Sequence, residues 1–374
     1  MDNVTHTVAG LLAAEAALAL YGVVQRKRGE RGATPDKATA TRFARVAYWV
    51  SALANNLPDT DFVYSGITQP SALGYLMHHR GHTHTLSVAC VMVAVLMLAF
   101  RAIAKRFFPT LLQLDWRWLW GLALLGPVLH MAMDFTNNYG VHPFWPLYNG
   151  WLYGDSVFII EPLYLLTGLP LLFFAMRSGV ARAFFVLLAL AVLGLAWWAP
   201  FVPVSVAVGL TIFVTLACVA AARLSAARRI IVGGAMFVAI PLVFSVARAQ
   251  ADAVVRSALP ADAQVVDVVL TPSPSNPLCW STWALYLQSD QYVADSGRLT
   301  LAPSLFARSD CEGPFHAGAT TAELQRVNEA VIPQTRGERS RTVQFSRQYR
   351  APLSELKSLA GDCYAAAYLR YSRL

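Results

Sequence analysis

Charged residues are scarce in this sequence: they make up 14% of its 374 residues, whereas an ordinary soluble domain contains about 25%. Hydrophobic residues account for 56%, and the mean hydropathy is +0.45. Several apolar runs approach the ~20 residues that a helix needs to cross a bilayer. A wholly soluble protein is therefore excluded, and the sequence predicts an integral membrane protein with several spans.

Cysteine is rare as well, with five residues in the chain. Cys90 and Cys218 lie inside apolar segments, where a cysteine behaves as a small apolar residue. Cys279, Cys311 and Cys363 lie in the polar C-terminal part, so at most one pair among them can form a disulfide bond. The sequence does not identify the pair, and a bond is expected if this part lies in an oxidising compartment.

Eight helical segments are predicted from the apolar runs, at about 4–24, 43–57, 85–103, 118–136, 157–176, 181–199, 203–222 and 229–247. They predict an all-α polytopic membrane bundle of about eight transmembrane helices over residues 1–247. Residues 248–374 are polar and mixed, and they predict a small α+β soluble domain. Its expected elements are strands near 263–270 and 283–287, a rigid loop at 271–277 and a helix near 352–368.

The net charge of +8 does not indicate a nucleic-acid partner, because the positive charge is concentrated in short loops between apolar segments. They concentrate in alternate loops, at about 25–45, 101–117, 177–182 and 223–229. The intervening loops contain one basic residue, Arg80. The positive-inside rule therefore predicts cytoplasmic basic loops, with the N-terminus and the C-terminal domain outside the cytoplasm.

Histidine is concentrated in the N-terminal part of the chain, and seven of the 8 histidines precede residue 143. Together with aspartates they form four motifs, which are Asp2-x-x-x-His6, Asp59-x-Asp61, His79-Arg80-Gly81-His82-Thr83-His84 and His130-x-x-x-Asp134. Residues four apart on a helix share one face, so two of the motifs present an imidazole beside a carboxylate. The predicted topology places all four motifs at the outer end of the bundle.

Ionisable side chains inside a helical bundle are costly unless they are paired or bind an ion. A divalent cation would satisfy several of these side chains at once. Imidazoles mixed with carboxylates favour Zn²⁺, with Mn²⁺ and Fe²⁺ as alternatives. The predicted metal ligands are Asp2, His6, Asp59, Asp61, His79, His84, His130 and Asp134.

Catalytic roles are predicted for three residues near this site. Asp59 or Asp61 would bind a second ion or act as a general base. Arg80 would bind a phosphate or carboxylate group through its guanidinium. Simpler roles remain open, with Asp2 and Asp59 capping a helix or turn and Arg80 pairing with one of the aspartates. His82, Asp155 and Glu161 are predicted to orient the metal ligands by hydrogen bonds without binding the cation themselves.

These motifs resemble a family of inner-membrane-associated, metal-dependent hydrolases that includes LexA-regulated bacterial proteins. The resemblance continues through Asn138–Val141, Trp145-Pro146 and Gly154–Ile160, and the proline-rich run at 272–280 is similar to the long form with a C-terminal soluble domain. Glu161 stands where that family commonly has Asp, which lengthens the carboxylate by one methylene. The resemblance implies a hydrolase in the bacterial inner (plasma) membrane.

The sequence therefore predicts a membrane-bound, metal-dependent hydrolase with a His/Asp site at the outer membrane face. A site at that depth favours an amphiphilic substrate such as a lipid phosphoester, with membrane lipids as partners. The alternatives are a divalent-metal transporter, whose site would lie near the midplane of the bilayer, a non-catalytic scaffold, and a function centred on the C-terminal domain.

Overall fold

The computed structural model describes residues 1–29, 36–68, 79–311, 342–362, 365–366 and 373 of the chain. Helices dominate the described residues before Leu259. They are α1 (Asn3–Gly29), α2 (Lys37–Asn56), α3 (Asp61–Thr68), α4 (Leu86–Phe107), α5 (Trp116–Phe135), α6 (Pro162–Ala175), α7 (Gly179–Trp198), α8 (Val204–Arg223) and α9 (Ala226–Ser257). Each of the eight predicted segments overlaps one of these helices, and the additional helix α3 is short.

Six of the described helices are long and apolar enough to cross a membrane, namely α1, α4, α5, α7, α8 and α9. Helix α2 falls short because Arg42 and Arg45 lower its hydropathy. Helix α6 has 14 residues, and at 1.5 Å per residue it is shorter than the ~30 Å hydrocarbon layer. The chain is a multi-pass helical membrane protein, but the predicted count of about eight spans is not confirmed.

Two glycines allow α1, α2 and α5 to pack closely. A Cβ atom on Gly10 of α1 would lie 2.9 Å from the carbonyl oxygen of Ser51 in α2, and Ser51 Oγ donates a 2.7 Å hydrogen bond to the Gly10 carbonyl. A Cβ atom on Gly126 of α5 would lie 2.6 Å from the backbone of Ala54. Small residues permit this close contact between membrane helices. The helix ends at which α1 begins and α2 and α5 finish are therefore held together.

Helix α9 connects the bundle to the C-terminal sheet. It has 32 residues, which is about 48 Å of helix and more than a bilayer core requires. Its C-terminal half packs against the sheet through Phe244, Ala251 and Val255, which share one apolar cluster with Leu270 and Trp280. The predicted domain boundary between residues 247 and 248 therefore falls inside a continuous helix.

The C-terminal part contains a four-stranded antiparallel sheet in the order β1-β2-β3-β4. The strands and the helix that follows are β1 (Gln264–Ser273), β2 (Asn276–Gln288), β3 (Gln291–Thr300), β4 (Val343–Pro352) and α10 (Leu353–Leu359). The predicted rigid loop at 271–277 is wrong in extent, because β1 and β2 continue into it and Ser273 pairs with Asn276. Ser275 turns the hairpin with a φ of 55°.

A disulfide bond joins Cys279 of β2 to Cys311, 32 residues further along the chain. Both cysteines are buried. The third cysteine of this part, Cys363, lies outside the described residues. The bond ties the segment after β3 to β2, which is an inner strand of the sheet. Cys279–Cys311 is one of the pairings that the sequence left open.

Candidate metal centre

Four side chains meet at the end of the bundle where α2 and α5 finish: Asp59, His84, His130 and Asp134. Asp59 lies in the 3₁₀ turn after α2, and His84 lies in the 3₁₀ turn just before α4. His130 and Asp134 are one turn apart on α5, so they project to the same side. One ligand atom from each side chain lies within 4.8 Å of all the others, and all four are buried. The group could hold a metal ion.

The distances within the group are nearly uniform. Nε2 of His84 and Nε2 of His130 each lie 3.4 Å from Oδ1 of Asp59. The same two nitrogens each lie 3.4 Å from Oδ2 of Asp134. The two Nε2 atoms are 3.1 Å apart. Two imidazoles and two carboxylates thus direct one atom each toward a common centre.

The remaining nitrogen of each imidazole is held by an acceptor, which determines the tautomer. Nδ1 of His130 lies 2.7 Å from the carbonyl oxygen of Asn55, and since a carbonyl can only accept, Nδ1 carries the hydrogen. Nδ1 of His84 lies 3.3 Å from the carboxylate of Asp61, which also accepts. In the neutral rings both Nε2 atoms therefore turn a lone pair toward each other, and a cation between them relieves the repulsion.

The carboxylate of Asp134 has two differently used oxygens. Oδ1 lies 3.3 Å from Nε2 of His6 and 3.2 Å from a guanidinium nitrogen of Arg80, and it also contacts the backbone nitrogen of Met1. Oδ2 faces the two imidazoles and, among the described residues, this buried oxygen has no hydrogen-bond partner. A buried acceptor without a donor needs an explanation, and a bound ion supplies one.

Arg80 lies behind Asp134 rather than at an open surface, and it is 2% exposed. Its guanidinium donates to the side chain of Asn137 at 2.9 Å and to the carbonyl of Gly140 at 3.3 Å. It also lies over the ring of Tyr139, 5.3 Å from the ring centre. These contacts leave Arg80 oriented by the loop after α5, with one of its nitrogens directed at the Asp134 carboxylate.

Asp61 lies on the far side of His84 from the centre and accepts hydrogen bonds from several donors. The backbone nitrogen of Arg80 donates to Oδ2 at 2.7 Å, and the Thr83 hydroxyl donates to the same oxygen at 3.2 Å. Nδ1 of His79 lies 3.3 Å from Oδ1. Asp61 and His79, both predicted ligands, are therefore placed behind a ligand and outside the group of four.

The charges of the surrounding groups favour a cation at the centre. Burial opposes ionisation of Asp59 and Asp61, but the imidazoles of His130 and His84 beside Asp59, and those of His79 and His84 beside Asp61, lower the pKa of both carboxyls. Burial also opposes protonation of His84, yet Asp134, Asp59 and Asp61 raise its pKa to about 10. Three carboxylates thus stabilise positive charge at this point.

Asp2 and His82 lie beside the group without contributing to it. Asp2 accepts hydrogen bonds from the backbone nitrogen of Thr5 at 2.9 Å and from its hydroxyl at 2.6 Å, which caps the start of α1. The His82 ring packs edge-on against Trp145, with ring centres 5.0 Å apart. The contacts of Asp2 match the role of helix cap and not the role of metal ligand, which were the two roles that the sequence left open.

His6 lies next to the group, and Asn55 is a site residue that the sequence did not indicate. The His6 ring stacks on His130 at 3.7 Å between ring centres. The Asn55 side chain donates to the backbone carbonyl of His6, while the backbone carbonyl of Asn55 accepts from His130. The one signal in the sequence was a polar amide in the last turn of a predicted helix that is mostly apolar.

Asp155 and Glu161 contact the C-terminal part rather than the centre. Asp155 forms a bidentate pair with Arg373 at 2.7 and 2.8 Å, and Arg248 lies 3.6 Å away. Both oxygens of Glu161 accept from Ser275, at 3.0 Å from the backbone nitrogen and 2.6 Å from the hydroxyl. The two carboxylates were predicted to orient the metal ligands, but these contacts do not indicate that role.

The fold and the group of four define a multi-pass helical membrane protein with a buried His/Asp cluster suited to a metal ion. The chain belongs to the family described as YdjM inner membrane protein, which matches residues 1–201. A relative in Bacillus subtilis (strain 168), described as uncharacterized protein YfhP, is 29% identical over 152 residues, which are 41% of this chain and 39% of that protein. No solved structure matches the chain.

Proposed function

We propose that this chain is a membrane-embedded, metal-dependent hydrolase whose divalent cation is bound by Asp59, His84, His130 and Asp134. The observation that carries the proposal is the convergence of two Nε2 atoms and two carboxylate oxygens, in which each nitrogen lies 3.4 Å from both oxygens. Each imidazole is held from behind, as metal-binding histidines commonly are. The resemblance of the motifs to metal-dependent hydrolases supports the reaction class.

The spacing of the four ligand atoms supports a small tetrahedral cation. Zinc bonds of about 2.0–2.1 Å to nitrogen and oxygen place the corners of a tetrahedron roughly 3.4 Å apart. The two imidazole-to-carboxylate distances measured for each ring are 3.4 Å. The donor set of two nitrogens and two oxygens is also one that zinc accepts. Zn²⁺ is therefore the cation that we propose.

A bound divalent cation would supply Lewis acidity, and it would lower the pKa of a water bound in addition to the four protein ligands toward roughly 7, which would make a nucleophile available near neutral pH. Asp59 is the ligand with access to solvent, since it is 7% exposed whereas His84, His130 and Asp134 are 0% exposed. Water would reach the centre beside it. We propose a phosphoester of an amphiphilic molecule as the substrate class.

Asp61 and Arg80 act as positioning residues in this proposal, not as catalytic ones. Asp61 keeps the hydrogen of His84 on Nδ1 and so leaves Nε2 for the cation. Arg80 directs Oδ1 of Asp134 away from the centre and offsets part of its charge. Each of these two residues acts on the cation through one of its ligands. The cation itself would be the electrophile.

The C-terminal part supports an extracytoplasmic position for the site. It contains the disulfide between Cys279 and Cys311, and disulfides persist in oxidising compartments. It also contacts the loop that follows α5, where Asn138 donates to the hydroxyl of Thr271 at 2.8 Å. The disulfide-bonded part and the candidate centre therefore lie at the same end of the bundle, as the positive-inside rule predicts for both.

The proposal is tested by metal analysis and hydrolysis assays on the purified full chain. We expect about one zinc ion per chain, and zinc-dependent hydrolysis of a phosphodiester such as a phospholipid to an alcohol and a phosphomonoester. His130→Ala should lose both the metal and the activity. His82→Ala is the matched control, because that imidazole packs on Trp145 and should keep both. Equal metal content in the wild type and His130→Ala would reject the proposal, and metal transport into liposomes without hydrolysis would indicate a transporter.

A further inference from the structure

A groove of about 500 Å³ opens on the side of the bundle below the candidate centre. We call it the lateral groove and define it by Ala9, Ala13, Met133, Thr136, Gly234 and Phe237. These residues belong to α1, α5 and α9, and all three helices are long and apolar enough to cross a membrane. The opening of the groove therefore faces the hydrocarbon of the bilayer.

The outer end of the lateral groove lies at the level of the candidate centre along the helices. Met133 directly precedes Asp134 on α5, and Ala9 follows His6 by one helical turn on α1. Thr136 lies at the same end, with its hydroxyl already bonded to the Met133 carbonyl at 2.6 Å. A molecule that fills the groove would thus have its outer end beside a proposed metal ligand.

The chemistry of the lining indicates the occupant. Among the residues that line the groove, Thr136 and Tyr164 are the two with polar side-chain atoms, and both lie at the outer end. The rest of the lining offers apolar side chains and backbone already used by the helices. A polar occupant would find no hydrogen-bond partners along most of the groove, whereas a hydrocarbon chain needs none.

We propose that the lateral groove binds one acyl chain of a phospholipid and places the phosphoester of its headgroup beside the candidate centre. The proposed binding of the acyl chain depends only on the shape and the lining of the groove. The assignment of this lipid as the substrate rests on the proposed hydrolase. The acyl chain then accounts for substrate selection, because water-soluble phosphoesters lack the part that the groove binds.

Gly234 offers a way to block the inner half of the groove without disturbing the packing. A Cβ atom at Gly234 would meet nothing within 4 Å, so a side chain at this position would extend into the groove that Gly234 lines. It precedes Leu242, near the outer end, by eight residues, about 12 Å of helix. Gly234→Phe should therefore exclude a long chain and leave room for a short one.

Gly209 of α8 supplies the matched control. A Cβ atom there also meets nothing within 4 Å, and Gly209 is exposed on a helix suited to crossing the membrane but does not line the groove. Gly209→Phe thus introduces the same substitution against lipid elsewhere. Ala13→Leu narrows the same groove from α1, and it provides a second measurement if Gly234→Phe does not fold.

The experiment is native mass spectrometry of the full-length protein in detergent, with added dipalmitoyl or dioctanoyl phosphatidylethanolamine. We expect Gly234→Phe to bind the dipalmitoyl lipid at least about tenfold more weakly than wild type, the loss expected when two methylene groups are excluded from an apolar site. Binding of the dioctanoyl lipid should be unchanged. Gly209→Phe should match the wild type with both lipids.

Three results would overturn the proposal. Gly234→Phe and Ala13→Leu could bind the dipalmitoyl lipid like wild type, or both glycine variants could lose it equally. Alternatively, Gly234→Phe could convert a dimer to a monomer, which would show that a helix of a second copy fills the groove. The zinc content of Gly234→Phe separates this test from the proposed function, because it should stay at the wild-type value whichever lipid binds.

Discussion

Asp61 accepts from Nδ1 of His84 at 3.3 Å and thereby determines which nitrogen of that imidazole faces the candidate centre. Removing the charge of Asp61 should weaken the ligand without removing it. We expect Asp61→Asn to lower the affinity for Zn²⁺ by about 10–100-fold, as for other partners of metal-binding histidines, while about one ion per chain still binds at saturation. Competition with a chelator of known affinity measures the change.

Asp262→Asn is the control for Asp61→Asn, since Asp262 is an exposed residue at the start of the sheet domain. It removes the same charge far from the centre and should leave the affinity for Zn²⁺ unchanged. Wild-type affinity in Asp61→Asn would show that His84 does not depend on this carboxylate.

His6 and His130 allow a comparison between a neighbour and a ligand, because their rings stack at 3.7 Å. A phenylalanine keeps the stacking area in either position but offers no nitrogen. We expect His6→Phe to keep about one zinc ion per chain with an affinity within about tenfold of wild type. His130→Phe should lose the ion. If His6→Phe also lost it, His6 would be a ligand and the group of four would be incomplete.

Glu161 should make the stability of the chain depend on pH. Burial raises the pKa of its carboxyl to about 7, although Ser275 and Leu163 donate hydrogen bonds to it, whereas the ordinary value is 4.5. Between pH 4.5 and 7 the unfolded chain releases this proton and the folded chain keeps it. This contribution to stability is therefore fully present below pH 4.5 and is lost as the pH rises through 7.

The size of this effect is on the order of 3 kcal/mol at most. Glu161→Gln carries no titrating proton and still offers Ser275 an acceptor. Its Tm should therefore fall less than that of wild type between pH 5 and 8. Parallel Tm curves for the two proteins over this range would show that Glu161 does not titrate there.

The orientation of the chain is open to thiol labelling. In a background with the free cysteines replaced by alanine, Ser304→Cys places an exposed thiol in the sheet domain, and Ser178→Cys places one between α6 and α7. We expect a membrane-impermeant maleimide to label Ser304→Cys in cells with an intact inner membrane. Ser178→Cys should react only after that membrane is permeabilised. The reverse pattern would place the candidate centre in the cytoplasm.

The helical bundle could be predicted because apolar runs encode it directly. The eight predicted segments all correspond to helices, and the sheet domain appears where the charged residues return. The membrane crossings were harder to predict, since α2 carries Arg42 and Arg45 and α6 stops after 14 residues. Helicity follows from local sequence, whereas crossing the bilayer also depends on length and on what the neighbouring helices cover.

The candidate centre also has a part that the sequence could predict and a part that it could not. His130 and Asp134 share a helix face because of their spacing alone, and the topology brought His84 to the same depth. The role of Asn55 depends on its backbone carbonyl, which any residue possesses. Asp155 and Glu161 contact Arg373 and Ser275, which are more than a hundred residues away, so no local pattern could reveal those partners.

X-ray absorption at the zinc edge of the purified, zinc-loaded protein reports the ligands of the cation themselves. We predict four nitrogen or oxygen ligands from the protein at about 2.0–2.1 Å and a water besides them, with the multiple scattering of two imidazoles. That signal should fall to one imidazole in His84→Gln. A spectrum without imidazole scattering, or one that is identical in wild type and His84→Gln, would contradict the claim that His84 and His130 bind the cation.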